Sequence, residues 1–397
     1  MNWKNHPVNK IHIELSTNCN AGCPLCLRYF HGADIVRPDL NLTSISLEQF
    51  KNYFPDDFLK GLNRILFCGT MGDPIMAKDC YEIINYVKDI NPTCFQVLHT
   101  NGGVRSTDFW TKMGRIFTAP YMTVIFSIDG LEDTNHLYRR KVNWNKLMQN
   151  VTAFINAGGN AVWEYLIFEH NEHQIEQARQ LAKEMKFSEF KTKRPTGFEH
   201  PFKPAYRPRM VFDNNGKEEY KLFPSTNAKY NDNETLQVID DLPYGVDTAL
   251  VEQAKKLKYF PILLEKVETF SDSSAEELGF YKEELDQRTI KCNSHEHDGN
   301  EIYVNAEGIL FPCCFVGTRH DSSLVSFIDN QVKSKIKPYK DSLNLNLKNV
   351  DEIIQSGVLD EIFTNSWSKP SLKQGKLGIC SETCGGNSWF NLLYTKQ

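Results

Sequence analysis

The sequence contains no apolar run that approaches the ~18 consecutive residues of a membrane-spanning helix. Residues 1–7 also lack the apolar core of a secretory signal peptide, so we expect a cytoplasmic protein that does not engage membranes. Neither charge sign is in large excess, because 45 Lys and Arg stand against 50 Asp and Glu and the net charge is −5. This balance argues against a general nucleic-acid-binding protein, although it leaves a local basic patch open.

Internal repeats, low-complexity tracts, a phosphate-binding loop and a Ser-His-acid arrangement are also missing from the sequence. Cysteine, in contrast, is abundant, with eleven residues in the chain. Disulfides are rare in a reducing compartment, so this number points to metal or cluster ligation. The 397 residues leave room for two or three domains.

Three of the cysteines lie close together near the start of the chain. Cys19, Cys23 and Cys26 have the spacing C-x3-C-x2-C and directly follow an apolar, strand-like segment. Three thiols can hold three irons of a four-iron cubane and leave the fourth iron open to a substrate or cofactor. A zinc site and a set of redox thiols are the alternatives, but structural zinc usually takes four ligands from two pairs.

This motif behind an early strand resembles the radical S-adenosylmethionine (SAM) superfamily. The resemblance implies that Cys19, Cys23 and Cys26 bind a [4Fe-4S] cluster whose fourth iron is chelated by SAM. It also implies reductive cleavage of SAM to a 5′-deoxyadenosyl radical, which abstracts hydrogen from a substrate. The electron would come from an external donor similar to flavodoxin or ferredoxin. Leu25 departs from the aromatic residue often found at its position, but an apolar side chain there still shields the cluster.

The first half of the chain alternates strand-like and amphipathic segments. Strands are predicted at Ile11–Leu15, Ile65–Cys68, Phe95–His99, Thr123–Ile128, Val162–Phe168 and Phe187–Lys191. Helices are predicted to begin at Ser46 with a capping box and to cover Tyr81–Ile90, Asp108–Phe117, Trp144–Ala157 and His173–Met185. Six such repeats predict an α/β fold with parallel strands, a partial (β/α)6 TIM-like barrel whose chemistry lies at the carboxyl ends of the strands.

The resemblance extends to the segments that follow strands two, three and four. Cys68-Gly-Thr-Met-Gly-Asp-Pro74 resembles the motif that contacts the SAM amino group, and His99-Thr-Asn-Gly-Gly103 resembles a Thr-Asn-Gly motif at strand three. Ser127-Ile-Asp-Gly130 and the later Tyr138-Arg139 resemble the pair that binds the SAM carboxylate, with Arg140 as the alternative arginine. The implied cofactor-binding residues are Met71, Gly72, Asp73, Pro74, Thr100, Asn101, Ser127, Asp129 and Arg139. Glu164, Leu166 and Asn171 are candidates to line the adenine site.

A second group of cysteines lies near the end of the chain. Cys313 follows a predicted β-hairpin, Ile302–Val304 and Ile309–Phe311, and Cys380 and Cys384 form a C-x3-C pair. With Cys292 they would ligate one auxiliary [4Fe-4S] cluster completely, which favours electron relay, and a four-cysteine zinc site is the alternative. Only one of the adjacent Cys313 and Cys314 is expected to ligate. The layout resembles the SPASM and twitch extensions of radical SAM enzymes.

The expected organisation is a core at 1–194, a linker or insertion at 195–290 that could cover the active site, and a smaller cysteine-rich, SPASM/twitch-like domain at 291–397. The expected substrate is a small molecule, a carbohydrate or a peptide. Only eighteen residues precede Cys19, which disfavours a leader-dependent ribosomal peptide. A non-catalytic iron–sulfur or zinc protein and an RNA-modifying radical SAM enzyme are the rival hypotheses, and no catalytic side chain can be named.

Overall fold

An eight-stranded sheet organises the computed structural model of this chain. The strand order is β10-β9-β1-β2-β3-β4-β5-β6, and neighbours are parallel except for β10 against β9. The residues that the structure describes are 3–29, 35–37, 39–118, 120–198, 206–215, 217–230, 238, 282–292, 294, 300–321 and 327–385. Most of the predicted insertion, 195–290, therefore lies outside the described residues.

The six predicted parallel strands are all present in the predicted order. They are β1 Val8–Ile13, β2 Arg64–Phe67, β3 Phe95–Thr100, β4 Met122–Ser127, β5 Ala161–Leu166 and β6 Glu189–Lys193. The first strand begins earlier than predicted and the sixth ends later. The α/β prediction of a partial barrel is confirmed, because each strand pairs in parallel with the next from β1 to β6.

Helices connect these strands, and all but α2 and α5 are predicted by the amphipathic pattern. They are α1 Leu47–Tyr53, α2 Asp56–Lys60, α3 Cys80–Ile90, α4 Thr107–Ile116, α5 Asn135–Tyr138, α6 Trp144–Asn156 and α7 Ile175–Glu184. Ser46 forms the predicted capping box with Gln49 at the start of α1, which satisfies two backbone N–H groups. Aromatic side chains fill the space between α4, α6 and the sheet, where Trp110, Phe126 and Phe154 pack against one another.

The predicted C-terminal hairpin is present as β9 Asn300–Val304 and β10 Leu310–Phe311. It does not stand apart from the core, because β9 pairs with β1 and so extends the same sheet. Without β9, strand β1 would be an edge with unpaired backbone groups, which is a liability that sheets generally cover. Gly308 closes the hairpin turn with φ +79°, a conformation that glycine adopts without strain.

Two further parts of the structure flank the sheet. Strands β7 Arg209–Phe212 and β8 Glu218–Leu222 form a separate antiparallel hairpin within the predicted insertion. The C-terminal part is helical: Cys314–Asp321, Phe327–Ile336, Val350–Ser356, a π-helical turn Asp360–Thr364, Asn365–Trp367 and Gly378–Cys384. Among the described residues, no helix has the length and apolar character needed to cross a membrane.

Close packing of α4 on α6 gives a test of the fold. A Cβ at Gly114 would lie 2.3 Å from the Phe154 carbonyl oxygen, so Gly114→Ala should lower the free energy of unfolding by about 1–3 kcal/mol through overpacking. The matched control is Gly61→Ala, since Gly61 has φ −82° and its Cβ would meet no atom closer than 3.5 Å. Thermal melting followed by circular dichroism measures both. Equal melting temperatures for the two variants would contradict this packing.

Candidate functional site

The three-cysteine loop lies at the carboxyl end of β1, as predicted. Cys23 is buried, while Cys19 and Cys26 are half-buried. The loop is folded on itself by a hydrogen bond of 3.0 Å from the Cys26 N–H to the Cys23 carbonyl. A second bond, 2.8 Å from the Gly22 N–H to the Arg140 carbonyl, ties the loop to the segment after β4. The loop therefore has a fixed position relative to two other strand ends.

The surroundings of these thiols suit an iron–sulfur cluster. Burial raises the pKa of Cys26 to about 11 and holds the pKa values of Cys19 and Cys23 above their ordinary range, so iron must displace protons when it binds. Donors are directed at the sulfurs: Arg139 Nη1 lies 3.6 Å from Cys23 Sγ and Asn101 Nδ2 lies 3.7 Å from Cys19 Sγ. Such donors stabilise cluster thiolates, and the residues present fit the group.

No group of three or more His, Cys, Asp or Glu side chains in the described ranges is arranged to share a single metal ion. In a four-iron cubane each thiolate binds a different iron, so the ligands need not converge on one point.

Asp73 connects the segments that follow β2 and β3. Its Oδ2 accepts hydrogen bonds from Thr100 Oγ1 at 3.0 Å and from the Asn101 N–H and Nδ2 at 2.8 and 2.7 Å. Its Oδ1 accepts the Ile75 N–H at 3.2 Å and caps the short 3-10 helix Pro74–Met76. These donors use both carboxylate oxygens, so in this structure Asp73 holds two loops together.

The glycines of the same segment are explained by packing between backbones. A Cβ at Gly72 would lie 2.0 Å from the Ser16 carbonyl oxygen, and a Cβ at Gly69 would lie 2.0 Å from the Gly72 carbonyl oxygen. The sequence suggested that glycine here lets a ligand approach. The structure shows that the neighbour which approaches Gly72 is the segment between β1 and Cys19. Met71 is buried beside it.

Asp129, which is fully buried, and Arg139, which is half-buried, form an ion pair beside the cysteine loop. Arg139 Nε lies 2.6 Å from Asp129 Oδ2, and Asp129 Oδ1 accepts the Leu166 N–H at 2.7 Å. Burial opposes the charge of Arg139, but the Asp129 carboxylate and the Cys23 thiol outweigh it and keep the guanidinium pKa above its usual range. Within the described ranges, Nη2 of Arg139 has no hydrogen-bond partner, so one edge of the guanidinium can bind an anion.

Arg140, the alternative arginine, has a different position. Its Nη1 donates to the Phe212 carbonyl at 2.9 Å and its Nη2 lies 2.6 Å from Glu219. Both partners belong to the β7–β8 hairpin of the predicted insertion. Gly197, in the same region, lies against Leu25 of the cysteine loop, so described parts of the insertion border the site.

The remaining candidates lie on the inner face of the sheet or at its edge. Ser127 is half-buried at the end of β4 and pairs in register with Glu164 of β5. Glu164 forms an ion pair of 2.6 Å with Lys193. The Asn171 side chain donates to the carbonyls of Asp129 and Leu166, both at 2.9 Å. Asn171 therefore supports the loop that carries Asp129.

Sequence reasoning missed Arg28, which lies two residues after the third cysteine. Its buried guanidinium donates to the Thr17 carbonyl and, at 3.3 Å, to the Met71 carbonyl. Arg28 therefore joins the cysteine loop to the Thr70–Gly72 turn. No local pattern identifies such a residue, since an arginine in a loop is usually solvated.

The four C-terminal cysteines meet at a second site. Cys380 and Cys384 share one face of the helix Gly378–Cys384, one turn apart. The Lys291 N–H donates to the Cys384 carbonyl at 3.0 Å, which brings Cys292 beside the helix. A hydrogen bond with Cys384 and burial raise the pKa of Cys292, and Cys313 adds to that shift. These four clustered thiols, three of them buried and Cys313 half-buried, fit a metal cofactor with all-cysteine ligation.

Cys314 lies next to Cys313, but its main electrostatic neighbours do not include Cys380 or Cys384. Burial raises its pKa, and among its electrostatic neighbours are Cys313, Glu301 of β9 and Cys68, which directly follows β2. The thiols of Cys313 and Cys380, in contrast, both interact with Cys384. The geometry therefore favours Cys313 over Cys314 as a member of the second site.

The chain is similar to one protein family and to several solved structures. The family model described as "Radical SAM superfamily" matches residues 13–182. Among solved structures, SuiB of Streptococcus suis bound to S-adenosylmethionine is 13% identical, with a TM-score of 0.42 over 78% of this chain. The chain spans 61% of the length of that SuiB chain. The enzyme anSMEcpe with bound AdoMet is 14% identical, with a TM-score of 0.47 over 95% of this chain and 86% of its own. No curated protein sequence gives a significant match.

The matched region, 13–182, begins in β1 and ends in α7. It contains the cysteine loop, the Asp73 network and the Asp129–Arg139 pair. Residues 13–182, which carry these groups, therefore match the radical SAM superfamily of enzymes.

Proposed function

We propose that this chain binds SAM and a [4Fe-4S] cluster at the carboxyl edge of β1–β4, cleaves SAM reductively and abstracts hydrogen from an organic substrate. The observation that carries the proposal is the convergence of three features at one edge. These are the loop of Cys19, Cys23 and Cys26, the Asp73–Asn101 network, and the anion-binding edge of Arg139. The bound cluster and SAM together supply the electron transfer and the 5′-deoxyadenosyl radical.

The residues of the chain bind and orient SAM in this proposal. Arg139, held by Asp129, binds the SAM carboxylate through its remaining N–H groups, with Ser127 beside it. The backbone of the Thr70–Gly72 turn contacts the SAM amino group, and Asp73 fixes that turn against Thr100 and Asn101. Met71 within the turn and Pro74 just after it are both buried.

The second site holds one auxiliary [4Fe-4S] cluster, ligated by Cys292, Cys313, Cys380 and Cys384. Four thiolates leave no open iron, so the group relays electrons and does not bind the substrate directly. The electron for SAM cleavage comes from an external one-electron donor of flavodoxin or ferredoxin type. The substrate belongs to the polar small molecules, carbohydrates or peptides.

The central test replaces one cluster ligand. Wild-type protein reconstituted anaerobically with iron and sulfide should contain about eight irons per chain and form 5′-deoxyadenosine from SAM and dithionite. Cys23→Ala should lose the product and retain about four irons, because three thiolates are needed for the first cluster. Cys94→Ala is the control, since Cys94 is a buried thiol next to the amino end of β3. Zinc in place of iron, or product from Cys23→Ala, would refute the proposal.

The adjacent residues Cys313 and Cys314 allow a matched comparison of two variants at the auxiliary site. Cys313→Ala should lower the iron content from about eight to about four per chain, whereas Cys314→Ala should keep both clusters. The reason is that Cys384 is among the main electrostatic neighbours of Cys313 and not among those of Cys314. Iron analysis and Mössbauer spectroscopy give the counts. The opposite result would assign Cys314 as the ligand.

The neighbouring arginines provide a test of SAM binding. Arg139→Gln should raise the KM for SAM about tenfold or more, because it removes a charged donor from the SAM carboxylate. Arg140→Gln should change the KM less than about twofold, since Arg140 contacts Phe212 and Glu219. The rate at which SAM is cleaved is measured against SAM concentration, with iron content as the check on folding. Equal KM values for both variants would remove Arg139 from the SAM site.

A further inference from the structure

Glu14 is a buried carboxylic acid that the proposed SAM site does not use. It follows β1 directly and is 1% exposed. One side of its carboxyl group faces the turn after β2, where Oε1 accepts the Thr70 N–H at 2.5 Å and Oε2 accepts the Met71 N–H at 3.4 Å. The other partner is Tyr303 of β9, whose hydroxyl donates to Oε1 at 2.6 Å. Glu14 thus connects the turn assigned to SAM with the C-terminal hairpin.

The ring of Tyr303 is closely packed between His12 and the helix Cys314–Asp321. Its ring is 1% exposed and lies edge-to-face on His12, with centroids 4.9 Å apart. A Cβ at Gly317 would lie 2.2 Å from the ring, so glycine at that position allows the helix Cys314–Asp321 to approach. The hydroxyl group therefore has one fixed direction, toward Glu14.

The Thr70–Gly72 turn is held by hydrogen bonds to two side chains, Glu14 and Arg28. Glu14 accepts N–H groups of Thr70 and Met71, while Arg28 donates to the Met71 carbonyl at 3.3 Å. Burial raises the pKa of Glu14 to about 7, a shift that its hydrogen bonds with Tyr303 and Thr70 oppose. Hydrogen bonds to a charged group are stronger than those between neutral groups, so the ionised form of Glu14 holds the turn most tightly.

We propose that Glu14 and Tyr303 are positioning residues for SAM: they fix the Thr70–Gly72 turn from the C-terminal hairpin, so that a strand added from residue 300 onward sets the affinity for SAM. The inference rests on the proposed function, because it takes that turn as the contact for the SAM amino group. Displacement of the turn would weaken this contact while leaving the thiol loop and its cluster in place.

The test measures SAM binding to reconstituted protein by isothermal titration and follows the kinetics of SAM cleavage, from which KM and kcat are obtained. Tyr303→Phe keeps the clamped ring and removes only the hydroxyl, and Glu14→Ala removes the acceptor. Both should raise the Kd and the KM for SAM roughly threefold to tenfold, while the maximal rate and the iron content stay within about twofold of wild type. Glu14→Gln should recover part of the affinity, because its amide oxygen still accepts the Thr70 N–H and the Tyr303 hydroxyl, while the charge and the acceptor for the Met71 N–H are lost.

The matched control is Tyr53→Phe. The Tyr53 hydroxyl donates to Asn346 Oδ1 at 2.6 Å, and Asn346 Nδ2 donates in turn to the Glu307 carbonyl between β9 and β10 at 2.8 Å. Tyr53 is therefore linked to the same hairpin without a hydrogen bond to the SAM turn. Its loss should leave the Kd for SAM unchanged. If Tyr303→Phe and Glu14→Ala lower only the melting temperature and keep the wild-type Kd, the inference is overturned. A wild-type protein that binds SAM without cleaving it would refute the proposed function and still decide the inference by the Kd values.

Discussion

Strand β1 is hydrogen-bonded on both sides, to β2 and to β9, and the arrangement of both thiol sites depends on this double pairing. The pairing with β2 aligns the end of β1 with the turn that begins at Cys68, so the cysteine loop and the proposed SAM turn meet at one edge. The pairing with β9 brings the hairpin that ends at Cys313 to the same strand. A register shift of β1 by one residue would invert its inner and outer faces and separate these groups.

Buried polar side chains then fix the loops at this edge. Asp73 fills its acceptor sites with donors from the loop after β3, Asp129 pairs with Arg139, and Asn171 supports the backbone of Asp129. Unpaired polar groups are costly in a buried environment, so each loop is held in the conformation that satisfies its neighbours. The loops at the site are therefore fixed by hydrogen bonds to one another. A reactive cofactor requires such fixed loops, because its position must be precise.

The sequence was sufficient for the features that depend on local pattern. Apolar periodicity located β1–β6 and five of the seven helices between them within a few residues, and cysteine spacing predicted the two groups of thiols. Three kinds of feature were not predictable. The role of Gly72 depends on the backbone of Ser16, which lies 56 residues earlier in the chain. Arginine and glutamate are usually exposed to solvent, and only the tertiary contacts of Arg28 and Glu14 show that these two are buried. The pairing of β9 with β1 links residues almost 300 positions apart, which no local signal records.

The order of the sites along the chain has a consequence for biosynthesis. The partners of the cysteine loop, from Asn101 to Arg139 and Arg140, are all present once about a third of the chain has been made. The second site is complete only after Cys384 has been made, because Cys380 and Cys384 on the helix Gly378–Cys384 supply two of its four thiols. After the first of these moments β1 still has a free edge, which β9 closes only when residues 300–304 emerge. The thiol loop can therefore be complete before the sheet is, and in that interval the open edge of β1 exposes the nascent chain to mispairing.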